Sequence, residues 1–244
     1  MAQAGSASSS PAMHPSGFPK EVGVGGFHPL PLKTHDGRAL PHTFFEGESA
    51  GLLVVLPGLH YGPDGPALYH LAKQLQGSGW DTLGLMYGFQ AAMAFPWTDH
   101  AGETLTECGA ALGEVLGRRA YSRVGIVGKS LGTILLVQLC IQGLVPDSAR
   151  VAHLTPPLGN PAFDAAFRET RQPAYIAIGT RDSFYSEESL RAVAGRRATY
   201  VRILEGADHG LDVSRDLAAT LRVVGQVVED TTAFFLTGQV PGLA

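Results

Sequence analysis

Short, wholly apolar runs alternate along the chain with stretches in which apolar residues recur at helical spacing. Gly51–Leu56 is apolar throughout, as a strand covered on both faces must be. Pro57-Gly58 ends it, and residues 66–76 then carry Leu68, Leu71, Ala72 and Leu75 on one helical face. The same alternation predicts strands over residues 82–86, 124–127, 150–154, 174–178 and 200–204. It predicts helices over 100–119, 131–142, 160–171, 186–194 and from about 211 to 235, with a break at Gly225. Ahead of Gly51, residues 27–33 and 39–45 read as a hairpin turning at His35-Asp36-Gly37-Arg38. Pro29 and Pro31 confine its first strand to a sheet edge. A hairpin followed by strict strand–helix alternation predicts an α/β fold: a mostly parallel sheet with helices on both faces.

Composition narrows this reading. The 244 residues are enough for one α/β domain with a sizeable core. Charged residues make up 16%, against about 25% in an average globular protein, which predicts a lightly charged surface. The net charge is −4 and no Lys/Arg run is present, so neither nucleic acid nor an anionic membrane is expected as a partner. No apolar stretch reaches the roughly 18–20 residues needed to span a bilayer. Residues 1–20, rich in Ala, Ser, Gly and Pro and without a basic-then-apolar leader, read as a disordered tail, and a cytoplasmic location is the expectation. Cys108 and Cys140 fall on separate predicted helices with no metal-ligand spacing, and read as core thiols.

Candidate chemistry centres on Gly128-Lys129-Ser130-Leu131-Gly132, which joins the predicted strand 124–127 to the helix that follows. A serine in a sharp strand-to-helix turn presents its hydroxyl at the helix N-terminus. The flanking glycines let the two backbones approach closely. This is the G-x-S-x-G nucleophile elbow. A phosphate loop is excluded, because Arg123 stands where G-x-x-x-x-G-K-[ST] requires glycine. Lys129 reads as an exposed, solvated lysine.

A serine needs a base and an orienting acid to act as a nucleophile at neutral pH. In an open parallel sheet such groups gather at the carboxyl ends of the strands. Strand 174–178 runs into Gly179-Thr180-Arg181-Asp182, and strand 200–204 into Glu205-Gly206-Ala207-Asp208-His209-Gly210. These give Asp182 and His209, in the chain order Ser, Asp, His. Asp208 adjoins His209, where neighbouring side chains diverge, and Glu205 comes too early in its loop. His60 and His100 do not follow a late strand, and His153 inside a strand reads as a core or edge histidine. An oxyanion hole would draw one amide from Leu131 and a second from the loop 57–62, with Leu59 as donor. His60, Tyr61, Trp97, Leu158, Phe184 and Tyr185 lie in loops near the same edge and are candidate walls of an apolar cleft.

These residues resemble the α/β-hydrolase superfamily over nearly the whole chain after residue 20, and in size its small esterase, dienelactone-hydrolase-like members. The resemblance implies a single domain over 21–244, an eight-stranded sheet with its second strand antiparallel, and Ser130, His209 and Asp182 as nucleophile, base and orienter. Only residues 156–172 are available for a cap, and serine stands where dienelactone hydrolases proper carry cysteine. The expected activity is cleavage of an ester or related acyl bond in a small molecule through an acyl-enzyme, with no metal or organic cofactor. Thioester, lactone and amide substrates fit the same residues. A non-catalytic scaffold that binds a small molecule or a protein partner is the alternative. The long final helix could support a dimer without requiring one.

Overall fold

The computed structural model describes residues 26–196 and 198–243. The expected tail over 1–20 lies outside them. Eight strands form one sheet: β1 (Gly26–Phe27), β2 (His42–Glu46), β3 (Gly51–Leu56), β4 (Asp81–Leu85), β5 (Arg123–Lys129), β6 (Arg150–Leu154), β7 (Ala174–Gly179) and β8 (Thr199–Leu204). Their spatial order is β1-β2-β4-β3-β5-β6-β7-β8. β2 pairs antiparallel with both neighbours, and every pairing from β4 to β8 is parallel.

Alternation of side chains along each central strand splits the core in two. Leu52, Val54, Leu56, Ile126, Val151 and Ile176 face α3 (Ala101–Gly117), α4 (Leu131–Ile141), α5 (Pro161–Glu169) and α6 (Glu187–Ala194). Leu53, Val55, Val127, Ala152, Tyr175 and Ala177 face α1 (Pro66–Gly77) and α7 (Leu217–Thr237). Every residue of β3 and β7 is therefore buried, which accounts for their unbroken apolar sequences. Asn160 and Ser186 cap α5 and α6 by accepting main-chain N–H bonds through their side chains. No helix among the described residues is long and apolar enough to cross a membrane.

Four elements depart from the sequence expectation. Strand 27–33 shrinks to Gly26–Phe27, because Pro29 and Pro31 have no N–H for the ladder. Leu30 and Leu32 still enter the core, and a single bridge joins Lys33 to Ala39. The helix expected from residue 100 begins with a 3-10 turn, Trp97–His100. A short helix not foreseen, α2 (Gly88–Ala91), follows β4. The final helix begins at Leu217, not near Leu211, and continues through Gly225. The Asp208 carboxylate accepts the N–H groups of Gly210 and Asp212 at 2.8 and 3.0 Å, and Leu211 and Arg215 sit at positive φ, so residues 208–216 form a loop of their own.

Both cysteines are buried free thiols. His153, on β6, is wholly buried between Phe163 and Phe167, and neither ring nitrogen has a hydrogen-bond partner among the described residues. Burial pushes its pKa from 6.5 down to about 3. The folded protein therefore holds this imidazole neutral where the unfolded chain would protonate it. Stability is lost as pH falls from 6.5 towards 3, by up to about 1.4 kcal/mol per pH unit from this group alone. Replacing His153 with Leu is expected to flatten the fall in melting temperature between pH 6.5 and 4, without loss of stability at pH 7. Parallel melting profiles for the two proteins would show that His153 contributes nothing to acid sensitivity.

Candidate active site

The site is built where β3, β5, β7 and β8 end. The turn after β5 is tight: a Cβ on Gly128 would stand 2.5 Å from the carbonyl oxygen of Gly132, and one on Gly132 would collide with the carbonyl of Leu56. Two side-chain-free positions thus let α4 start directly against the ends of β3 and β5. Between them Ser130 adopts φ 51° and ψ −112°, a conformation that costs an L-residue about 1–3 kcal/mol. Its N–H donates to the carbonyl of Leu154 at 2.9 Å and its carbonyl accepts from Thr133, which hold the turn in this shape.

The loops that carry Asp182 and His209 are tied together. The N–H groups of Thr180 and Arg181 donate to Leu204 and Ala207, and that of Gly206 donates to the Thr180 hydroxyl. Asp182 Oδ1 accepts the N–H of Phe184 at 2.9 Å, and Oδ2 lies 2.9 Å from His209 Nδ1. His209 Nε2 is in turn 2.8 Å from Ser130 Oγ. The Asp182 carboxylate is fully buried while the imidazole is partly exposed to the cavity. A buried carboxylate on Nδ1 selects the tautomer whose Nε2 lone pair faces the hydroxyl. The Asp208 carboxylate, turned into its own loop, takes no part in this chain.

A cavity of about 420 Å³ opens over Ser130 and His209. His60, Tyr61, Trp97 and Phe184, expected as walls, line it, as do Leu59 and Leu131, expected as oxyanion donors, and Ile134 and Pro157, which the sequence did not suggest. Leu158 and Tyr185 do not line it. Leu158 is buried in the core beneath α5, and Tyr185 packs against that core beyond a turn closed by its N–H on the Asp182 carbonyl. A helix-facing periodicity starting at Leu131 would have found Ile134, one turn on. Among the described residues, the N–H groups of Leu59 and Leu131 have no hydrogen-bond acceptor. The loop bearing Leu59 is clamped from α2. Tyr87 donates its hydroxyl to the Pro57 carbonyl at 2.7 Å, and Gln90 Nε2 donates to the carbonyls of Gly58 and Leu59, both at 2.9 Å. With the carbonyls of residues 57–59 drawn towards α2 and the Gly58 N–H donating to the Tyr61 carbonyl at 2.9 Å, the Leu59 amide is left for the cavity.

Lys129 corrects the expectation of a solvated lysine. β5 continues to residue 129, and alternation from Val127 puts this side chain on the α7 face, under the loop of His209. It is 1% exposed. Its Nζ donates to Thr155 Oγ1 at 2.6 Å and to the His209 carbonyl at 2.7 Å, and sits 4.9 Å from the centre of the Tyr61 ring. Burial pushes its pKa down to about 8, against the opposing pull of Asp182 and Asp208. Among the described residues, no group of three or more His, Cys, Asp or Glu side chains is placed to hold a metal ion.

No protein-family model and no curated protein sequence matches the chain. Solved structures do match it. An α/β serine hydrolase without a lid from Xanthomonas campestris superposes with a TM-score of 0.64 at 15% identity, covering 92% of this chain and 98% of its own. A protein of unknown function from Agrobacterium tumefaciens gives 0.68 at 18% identity, covering 87% and 97%. An esterase from Pyrococcus furiosus gives 0.62 at 13% identity, covering 88% and 96%. At such identities the likeness is one of fold, and it agrees with the eight-stranded sheet, its antiparallel second strand and its helices on both faces: the chain has the α/β-hydrolase fold.

Proposed function

We propose that this protein is a serine hydrolase that cleaves an ester or related acyl bond of a small molecule through an acyl-enzyme on Ser130. The observation that carries the reading is the unbroken hydrogen-bond chain from Ser130 Oγ through His209 to the buried Asp182 carboxylate. A hydroxyl within 2.8 Å of an imidazole, at the floor of an open cavity, also supports catalysis over a purely binding scaffold.

In this mechanism His209 Nε2 takes the Ser130 proton as Oγ bonds to the acyl carbon. The carbonyl π electrons move onto oxygen, where the N–H groups of Leu59 and Leu131 stabilise the developing charge. Collapse of the tetrahedral intermediate breaks the bond to the leaving group, which carries away the proton held by His209. Water then attacks the acyl-enzyme, giving its proton to His209. The second collapse returns that proton to Ser130 and releases the acid. Asp182 stays ionised and stabilises the imidazolium at each step. The mostly apolar walls suit a short acyl or aryl group.

Replacing Ser130 with Ala is expected to abolish hydrolysis of p-nitrophenyl acetate while cooperative thermal unfolding is retained. Hydrolysis at the wild-type rate by the folded variant would overturn the assignment. Gln90 tests the oxyanion loop. Gln90→Leu keeps the side chain's bulk and removes both donors, so kcat should fall by about 10- to 100-fold with KM little changed. An unaltered kcat would mean that the loop holds its shape without the clamp.

A further inference from the structure

The least expected group at the site is a buried cation. Lys129 has no carboxylate within ion-pair distance among the described residues, and its three N–H bonds face two neutral oxygens and an aromatic ring. A buried ammonium is retained at such a place only if its hydrogen bonds offset the lost hydration. The two oxygens belong to different parts of the site. Thr155 is the first residue beyond β6 and sits at φ 48°; His209 lies in the loop beyond β8. One side chain therefore ties the ends of β5 and β6 to the loop that carries the imidazole.

We infer that Lys129 is a positioning residue for His209: its ammonium grips the His209 backbone carbonyl and so sets the imidazole between Ser130 Oγ and Asp182. The inference rests on the acyl-transfer reading for its activity tests, but the placement of His209 can be read without activity. Among the described residues, the Lys129 ammonium makes the one hydrogen bond to the main chain of His209 itself. Its neighbours Asp208 and Gly210 are tied within their own loop, and the anchors of that loop to the rest of the site, Ala207 and Leu211, lie two residues to either side of the imidazole. Lys129 is also adjacent in sequence to the serine, so the same strand end places the nucleophile and holds the base's backbone.

The groups facing the ammonium are Tyr61 beyond β3, Asp182 beyond β7, and Asp208 and His209 beyond β8. The two carboxylates favour the charged form and burial opposes it, with the balance near pH 8. Charge-assisted hydrogen bonds are about twice as strong as neutral ones, so the grip weakens when the ammonium loses its proton. Activity should therefore decline as pH rises through about 8.

The test uses the full chain with Lys129→Met, which keeps length and removes donors, and Lys129→Gln, which keeps a donor and removes charge. Hydrolysis of p-nitrophenyl acetate should show kcat reduced at least tenfold in Lys129→Met with KM within twofold. The alkaline decline should be missing from both variants. In proton NMR, the downfield His209 Nδ1–H resonance, assigned by its loss in His209→Ala, should shift or broaden in both. A folded variant with wild-type kcat, the alkaline decline and an unmoved resonance would overturn the proposal. If Lys129→Met does not fold, Lys129→Gln decides by the same readings. If wild-type protein hydrolyses no ester, the acyl-transfer reading fails, while the His209 resonance still decides whether Lys129 positions the ring.

Discussion

The closeness with which α4 approaches the ends of β3 and β5 governs everything else in the site. Neither Gly128 nor Gly132 has room for a Cβ, and the peptide between them must turn so sharply that Ser130 takes a conformation rare for any residue with a side chain. The cost of that conformation is met by the burial of β5 and α4 on both sides of the turn and by the Leu154 carbonyl on the Ser130 N–H. The outcome is a hydroxyl presented at the sheet edge, and an amide at Leu131 left without a partner because it opens a helix. A hydroxyl aimed at an imidazole and an orphan amide beside it are consequences of one backbone turn.

The rest of the site uses the same edge. Parallel pairing brings the ends of β3, β5, β6, β7 and β8 along one line, each reaching at most two residues beyond its neighbour, so whatever follows each strand meets its neighbours. That line explains why His209, 27 positions from Asp182 and 79 from Ser130, can lie within hydrogen-bond reach of both. It also explains the two supports that hold the reacting geometry. From one side α2 draws the carbonyls of the 57–59 loop away from the cavity; from the other, Lys129 holds the His209 carbonyl.

Much of this was legible in the sequence because buried parallel strands advertise themselves. The runs 51–56 and 174–178 are apolar through and through, and the first polar residues after such strands are where an α/β sheet exposes chemistry. Ser130, Asp182 and His209 were found in that way, and the structure brings them together. What was missed lacks such a pattern. α2 is four residues long and shows no period. The loop 208–216 owes its shape to an aspartate bonding its own main chain and to positive φ at Leu211 and Arg215, while its apolar residues mimic the start of a helix. The charge of Lys129 points to solvent while the alternation from Val127 points it into the α7 face, and alternation prevails because β5 continues to residue 129. Leu158 and Tyr185 show the converse, since a loop position near the edge does not decide whether an apolar side chain turns to the cavity or the core.

The central claim is that the turn, the imidazole and the buried carboxylate together make Ser130 a nucleophile. Labelling the folded protein with a fluorophosphonate probe, followed by peptide mass spectrometry, tests it most directly. The account predicts a single adduct on Ser130 that disappears in His209→Ala. No adduct, or one that forms equally well without His209, would contradict it.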